Sequence, residues 1–352
     1  MQEQLTAYLK RQWADADEIV IEDFAIIAGG YSEETFRFDA RVRRGPNEER
    51  LPLILRKDPP GPANILPTSR QQEHELLCNI ATHTSIPVSK SYLVDESAEL
   101  FGTPCMIIER VRGSGQVSDL FNGGPCADQA EAIATQLCER IAELHMTDPK
   151  KLDPNGRLND PRNAGIDVSS WDSYIQTTCE YYIRGYNESD FAPMPNALDV
   201  YFHLRRSAPR PLPLCVVHGD FNPSNFLYQD GELTAIIDWE NAHIGDPRED
   251  LGWMQHMDLL SNTNIFGSVK VDGGFLGHYN RITGFNVTEE ELQYFRLFGT
   301  SNIAIPVLGA VKRRVAREHM ELLHLYMMQP ILVSQLSWAQ MLGYPMPAPE
   351  GN

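Results

Sequence analysis

The stretch Leu214–Trp253, LCVVHGDFNPSNFLYQDGELTAIIDWENAHIGDPREDLGW, decides how the rest of the chain is read. Leu214 to Val217 is a short apolar run rich in β-branched residues, which predicts a buried strand feeding a polar loop that carries Asp220. Phe226 to Tyr228 forms a second extended run, Asp230-Gly231 signals a tight turn, and Leu233 to Ile237 runs back as a third strand with Asp238 at its end. A hairpin of this kind brings its two ends together, so Asp220 and Asn225 should face Asp238. Such a set of oxygen ligands suits a magnesium ion that carries nucleotide phosphates, because Mg²⁺ takes one or two carboxylates and completes its octahedron with phosphate and water. Phosphoryl transfer also needs one residue to orient the attacking hydroxyl and accept its proton. The pattern therefore predicts Asp220 in that role, with Asn225 and Asp238 holding the metal.

His218-Gly219-Asp220, then Asn225, then Asp238-Trp239-Glu240 and Gly245-Asp246-Pro247 with Asp250 resemble the aminoglycoside phosphotransferase and choline kinase-like family, a branch of the protein kinase-like fold. The interval from Asp220 to Asn225 also equals that of the kinase catalytic loop. The resemblance implies a bilobal α+β architecture. A small antiparallel-sheet lobe with one helix, residues 1–112, would bind nucleotide, and a larger, mainly helical lobe, residues 113–352, would carry the catalytic loop and the substrate-binding region. It further implies Asp220 as catalytic base, Asn225 and Asp238 as metal ligands, His218 as a scaffold residue and Asp250 as a brace on the catalytic loop. The activity expected is transfer of the γ-phosphate of ATP, with Mg²⁺, to a hydroxyl of a small molecule. Asp-Trp-Glu replaces the Asp-Phe-Gly of protein kinases and no activation-loop or Ala-Pro-Glu element follows, which argues against a protein substrate. The same segment resembles the subgroup associated with acyl-CoA dehydrogenases, so a hydroxy-acyl or similar metabolite stands beside antibiotics among the candidate acceptors.

Upstream, Phe24 to Ala28 and Thr35 to Val42 read as two strands around the turn Gly29-Gly30-Tyr31-Ser32. In the family such a tip closes over the phosphates, with Gly30 and Ser32 as contacts through backbone N–H and hydroxyl. Leu51 to Lys57 predicts a third strand, whose alternation puts Ile54 and Arg56 on one face and Leu53, Leu55 and Lys57 on the other. Kinases place a Lys here to contact the phosphates. The aligned residue is Arg56, with Lys57 beside it; either could instead be a solvating charge on a strand edge, and Arg56 is favoured because Ile54 turns its face inward. Ser69 to Ala81 predicts an amphipathic helix on which Glu73 is the acid that would pair with the strand cation, or else one of several surface acids. Ile86-Pro87-Val88 and Thr103 to Ile108 read as strands. Glu109 to Gly113 then reads as the hinge, where family members bind adenine through backbone groups, here those of Glu109 and Val111.

Length and composition narrow the alternatives. The chain has 352 residues, 42% of them hydrophobic, enough for two lobes with a sizeable core. A net charge of −18 argues against a sequence-independent nucleic-acid binder and against attachment to an anionic membrane. A cationic substrate would suit this acidity, as would a plain solvated surface. The six cysteines form no C-x-x-C pair and read as buried free thiols. Met1 to Trp13 is mixed polar and amphipathic, without the apolar centre of a signal peptide, and no apolar run is long enough to span a bilayer, so a cytoplasmic location is expected.

The remainder predicts helices at Ala127 to His145, Trp171 to Tyr186, Asn196 to Arg206, Glu289 to Phe298 and Val311 to Tyr326. Trp171, Tyr174, Tyr181 and Tyr182 are candidates for substrate contact or for core. Two rivals come from other classes. One is a nucleotide-binding pseudoenzyme, hinted at by Arg56; the other is a metal-dependent hydrolase built on His218, Asp220 and Asp238.

Overall fold

The computed structural model describes residues 1–27, 34–58, 69–159, 165–188, 195–315 and 334–345, with residues 195, 305 and 308–315 described by their backbone alone. Near the N-terminus, strands β1 (Glu18–Ile26), β2 (Glu34–Arg44), β3 (Asn47–Lys57), β4 (Ser91–Asp95) and β5 (Cys105–Glu109) form an antiparallel sheet in the order β1-β2-β3-β5-β4. Helix α1 (Gln2–Gln12) buries Leu5 and Leu9 against one face, in a core with Phe38, Val42, Leu53, Leu55 and Ile107. Helix α2 (Arg70–His83) covers the other face, and its first turn is capped by the Ser69 hydroxyl, which accepts the Gln72 N–H at 3.2 Å.

The period-2 alternation of β3 decides what reaches the interior. Leu53 and Leu55 enter the α1 core, whereas Ile54 packs against the cluster built on α2 and the central helices. Arg56 shares the face of Ile54. Lys57 points the other way and pairs with Glu34 at 2.8 Å.

The mainly helical part contains α3 (Ala130–Met146), α4 (Pro149–Leu152), α5 (Trp171–Glu188), α6 (Pro195–Arg206), α7 (Arg248–Leu260), α8 (Ile265–Ser268), α9 (Gly274–Thr283) and α10 (Glu289–Val315). Two small antiparallel ribbons sit among them: β6 (Cys215–Val217) pairs with β9 (His243–Gly245), and β7 (Phe226–Gln229) with β8 (Glu232–Ile236). The turn between β7 and β8 places Asp230 at φ 52° and Gly231 at φ 81°, the positive angles that a tight hairpin needs. The result is the protein kinase-like α+β fold, a sheet-bearing part followed by a helical part.

Several expectations need correction. Ile86-Pro87-Val88 is not a strand: proline cannot donate to a ladder, and Pro87 instead accepts the Ile236 N–H at 2.8 Å, while β4 begins at Ser91. The first strand starts at Glu18, six residues before Phe24, because Ile19 and Ile21 turn inward at alternate positions, flanked by Glu18 and Glu22. The two helices expected around Glu289 and Val311 are one, running through Pro306 to Val315; the rest of the second lies outside the described residues. Trp171 and Tyr174 are core residues, buried with Tyr201, Phe295 and Phe298. Cys105, Cys138, Cys179 and Cys215 are buried free thiols, but Cys78 is exposed. Among the described residues no helix is long and apolar enough to cross a membrane.

Candidate active site

The loop after β6 and the two ends of the β7–β8 hairpin meet. Asp220 lies on that loop, where its Oδ1 accepts hydrogen bonds from Asn222 Nδ2 at 2.9 Å and from Trp253 Nε1 at 2.7 Å. Its Oδ2 accepts one from Asn225 Nδ2 at 2.8 Å. Asn225 in turn accepts the Ile237 N–H on its backbone carbonyl at 3.0 Å, which locks Asp238 to the same mouth. Asp238 adopts φ 68°, ψ 57°, a left-handed conformation that turns its carboxylate out of the strand. The sequence-predicted trio therefore converges. Burial, reinforced by the negative charge of Asp238, pushes the Asp220 carboxyl up to about 7. Burial also raises Asp238, to about 6, with Glu240 and Glu73 adding to it and Arg56 opposing.

The loop is held from below. Asp250, on the first turn of α7, accepts the His218 N–H at 2.7 Å and the Gly219 N–H at 2.9 Å, and His145 Nε2 donates to it at 3.1 Å. Burial alone would raise this acid, yet those donors outweigh it and hold Asp250 below the usual carboxylate range. His218 is fully buried, its Nδ1 accepting the Asp220 N–H at 3.2 Å and its Nε2 donating to the Ile237 carbonyl at 2.9 Å. With both ring nitrogens engaged and burial keeping the ring neutral, His218 is no metal ligand, which removes the basis of the hydrolase alternative. Gly219 has φ 78°, and a Cβ there would lie 2.1 Å from the Asn241 carbonyl oxygen, so only glycine makes this turn.

Across from the hairpin, Arg56 pairs with Glu73 and donates to Asp238 Oδ1 at 2.9 Å. Its charge is thereby secured: burial works against it, but Glu73, Asp238 and Glu240 prevail and raise its pKa. A second guanidinium, Arg70 on α2, is fully buried and bridges Asp58 at 2.7 Å, Glu73 at 2.6 Å and Glu240 at 3.2 Å. Two cations thus face four carboxylates, from the residue after β3, from α2 and from the Asp-Trp-Glu segment. At the far end of β5, the Glu109 N–H is taken by the Lys90 carbonyl at 2.8 Å, whereas the Val111 N–H makes no hydrogen bond among the described residues. Gly30 and Ser32 lie outside the described residues.

The same donor set suits a divalent cation. Asn225 Oδ1 and Asp238 Oδ2 accept no hydrogen bond among the described residues, and both belong to side chains whose other polar atom is fixed. One amide oxygen and one carboxylate oxygen, beside an excess of buried negative charge, fit an ion that keeps most of its positions for water and phosphate.

The sequence profile of the phosphotransferase enzyme family matches residues 23–287. The chain belongs to that family. As a member of the phosphotransferase enzyme family it is 27% identical over 210 residues to mouse acyl-CoA dehydrogenase family member 11, covering 59% of this chain and 25% of that protein. It is 25% identical over 259 residues to mouse acyl-CoA dehydrogenase family member 10, covering 72% of this chain and 22% of that one. The chain therefore spans about a quarter of the length of these relatives. Among solved structures it superposes on a putative aminoglycoside phosphotransferase from Ralstonia eutropha with a TM-score of 0.67 at 19% identity, over 98% of this chain and 99% of that one. For aminoglycoside phosphotransferase APH(4)-Ia in complex with AMP-PNP and hygromycin B, the values are 0.59 and 14%, over 96% and 97%. For a macrolide 2'-phosphotransferase from Brachybacterium faecium they are 0.57 and 18%, over 98% and 100%. Three members of this family member's site escaped the sequence reading: Trp253, Arg70 and Glu240. Glu240 stood inside the quoted motif; Trp253 and Arg70 had no signal beyond their place on a helix.

Proposed function

We propose that the chain is a small-molecule kinase that moves the γ-phosphate of ATP to a hydroxyl, with Asp220 as general base. The observation that carries this reading is the convergence of Asp220 with Asn225 at 2.8 Å, next to an Asp238 close enough to raise the Asp220 carboxyl. The three donors on Asp220 fix the direction of its lone pairs, and a carboxyl that titrates near neutrality is suited to take a proton from an alcohol. Asn225 Oδ1 and Asp238 Oδ2 would hold Mg²⁺, which would neutralise charge on the phosphates. Arg56, oriented by Glu73, would bind phosphate through its fork of N–H donors, a role that survives the change from lysine. This support leaves the pseudoenzyme alternative without the argument that raised it. The Val111 N–H, without a partner among the described residues, supports adenine recognition by the backbone after β5, and we take the boundary between nucleotide-binding and substrate-binding lobes to fall at residues 112–113. His218 and Asp250 serve as scaffold and brace.

The test is Asp220→Ala assayed with Mg·ATP on a panel of hydroxyl compounds. ATP should still raise the melting temperature of the variant, while turnover falls on the order of 10²–10⁴-fold. Wild-type turnover in Asp220→Ala refutes the assignment.

A further inference from the structure

We propose that the phosphate acceptor carries an oxyanion, a carboxylate or a phosphate, which the Arg296 guanidinium binds on the wall that leads outward from Asp220; this rests on the kinase reading above. Arg296 sits where α10 crosses α7. The crossing is tight: a Cβ on Gly252 would lie 2.9 Å from the Arg296 backbone nitrogen, and one on Gly299, on the same face of α10, would lie 3.3 Å from the Trp253 ring. Trp253 donates to Asp220 at 2.7 Å, and its ring centre lies 5.7 Å from that of His256. Trp253 thus links the proposed base to His256, and the charge of Arg296 acts on the His256 ring.

What singles out Arg296 is its lack of a partner among the described residues. Every other buried or half-buried arginine among the described residues is paired with a carboxylate, Arg56, Arg70, Arg110, Arg140 and Arg248 among them. Arg296, half-buried, makes neither an ion pair nor a side-chain hydrogen bond among the described residues. A cation partly withdrawn from water and left unpaired costs free energy, and a chain with 48 acidic residues has no shortage of partners to place there. One further polar group beside it is idle. The half-buried His256 ring makes no hydrogen bond among the described residues. Burial, then the charge of Arg296, brings His256 down to about 4, so the imidazole is neutral and can donate. A guanidinium fork with a neutral imidazole beside it is a donor set for an oxyanion, whereas an amino sugar would meet like charge. The net charge of −18 does not contradict this, since a local cation sets the field in its own cleft.

The experiment uses the full chain, Mg·ATP and matched acceptors: 3-hydroxybutyrate and longer 3-hydroxyalkanoates against their methyl esters, glycerol 3-phosphate against glycerol, and kanamycin as a polycation. The anionic member of a pair should exceed its neutral partner in kcat/KM by at least about tenfold, and the pair that responds tells carboxylate from phosphate. Arg296→Gln should raise the KM for that acceptor by a similar factor and erase the preference, with the KM for ATP and the melting temperature unchanged. Arg296→Lys should recover part of the loss. A merely structural Arg296 would lower the melting temperature and leave the pair ratio intact. Preference for neutral or cationic acceptors, or an unchanged ratio in Arg296→Gln, overturns the proposal while the kinase reading stands. Absence of ATP consumption with acceptors of every charge overturns both.

Discussion

Asp220 must be basic enough to accept a proton yet ionised when the acceptor arrives, and its surroundings set the compromise. Burial and Asp238 bring it up to about 7, so the reactive form is lost as pH falls through that value. The kcat/KM for the acceptor should therefore rise with pH and level off above about 7, following one macroscopic ionisation of the Asp220–Asp238 pair. A profile that is flat from about pH 5 to about pH 9 would count against Asp220 as the base. Asp250 behaves in the opposite sense. Its folded pKa is depressed below the ordinary 3.8, so the stability it supplies is complete above that value and is lost only as pH falls through the folded one. At neutral pH, Asp250→Asn should cost about 3 kcal/mol in urea unfolding, because an amide group would confront the backbone N–H donors of His218 and Gly219.

At the scale of elements, α2 is fastened to the strand and to the Asp-Trp-Glu segment by the buried Arg70, which touches Asp58, Glu73 and Glu240. Arg70→Met removes one cation from among these acids and should cost about 3–5 kcal/mol, read by chemical denaturation. It should also raise the KM for ATP, since Glu73 would no longer be held toward Arg56; an unchanged KM would separate α2 from nucleotide binding. Much of this was legible in the chain. The hairpin from Phe226 to Ile236 showed itself through apolar runs around Asp230-Gly231, and the pairing of Arg56 rather than Lys57 with Glu73 followed from the two-residue period of β3. Arg70 was not legible, because a charged residue at the start of a helix is ordinary and only the fold brings Glu240 to it. Trp253 was hidden for a related reason: Trp at an amphipathic position reads as core until its indole N–H is seen to reach Asp220. Ile86-Pro87-Val88 misled because β-branched composition outweighed the missing N–H of Pro87.

Across the molecule, the sheet and the helical part meet along α2, whose Leu76, Leu77 and Ile80 share a core cluster with α3 and whose Arg70 reaches Glu240. Ser114 and Tyr228 exchange backbone hydrogen bonds at 2.8 and 3.0 Å, and Arg56 reaches across to Asp238. Gly113 sits at this passage with φ 136°, and a Cβ there would lie 2.6 Å from Thr234 Oγ1. Gly113→Val should therefore displace one part against the other and raise the KM for ATP, with lesser effect on the KM for the acceptor; an unaltered nucleotide KM would argue that the passage does not set the cleft. The four acids around two guanidiniums make a second prediction. ATP with Mg²⁺ at a hundredfold excess over Kd should stabilise the whole chain by about 2.7 kcal/mol, and Asp238→Asn should abolish the part that depends on the metal. An equal melting shift with ATP and chelator overturns the metal role of Asp238. Arg56 has one practical consequence as well. Nucleotide reagents that tag proteins by acylating an amine would find a permanently protonated guanidinium on β3, with the neighbouring Lys57 turned away toward Glu34. A proteome-wide inventory of kinases taken with such chemistry would pass this chain by, however abundant and active it was.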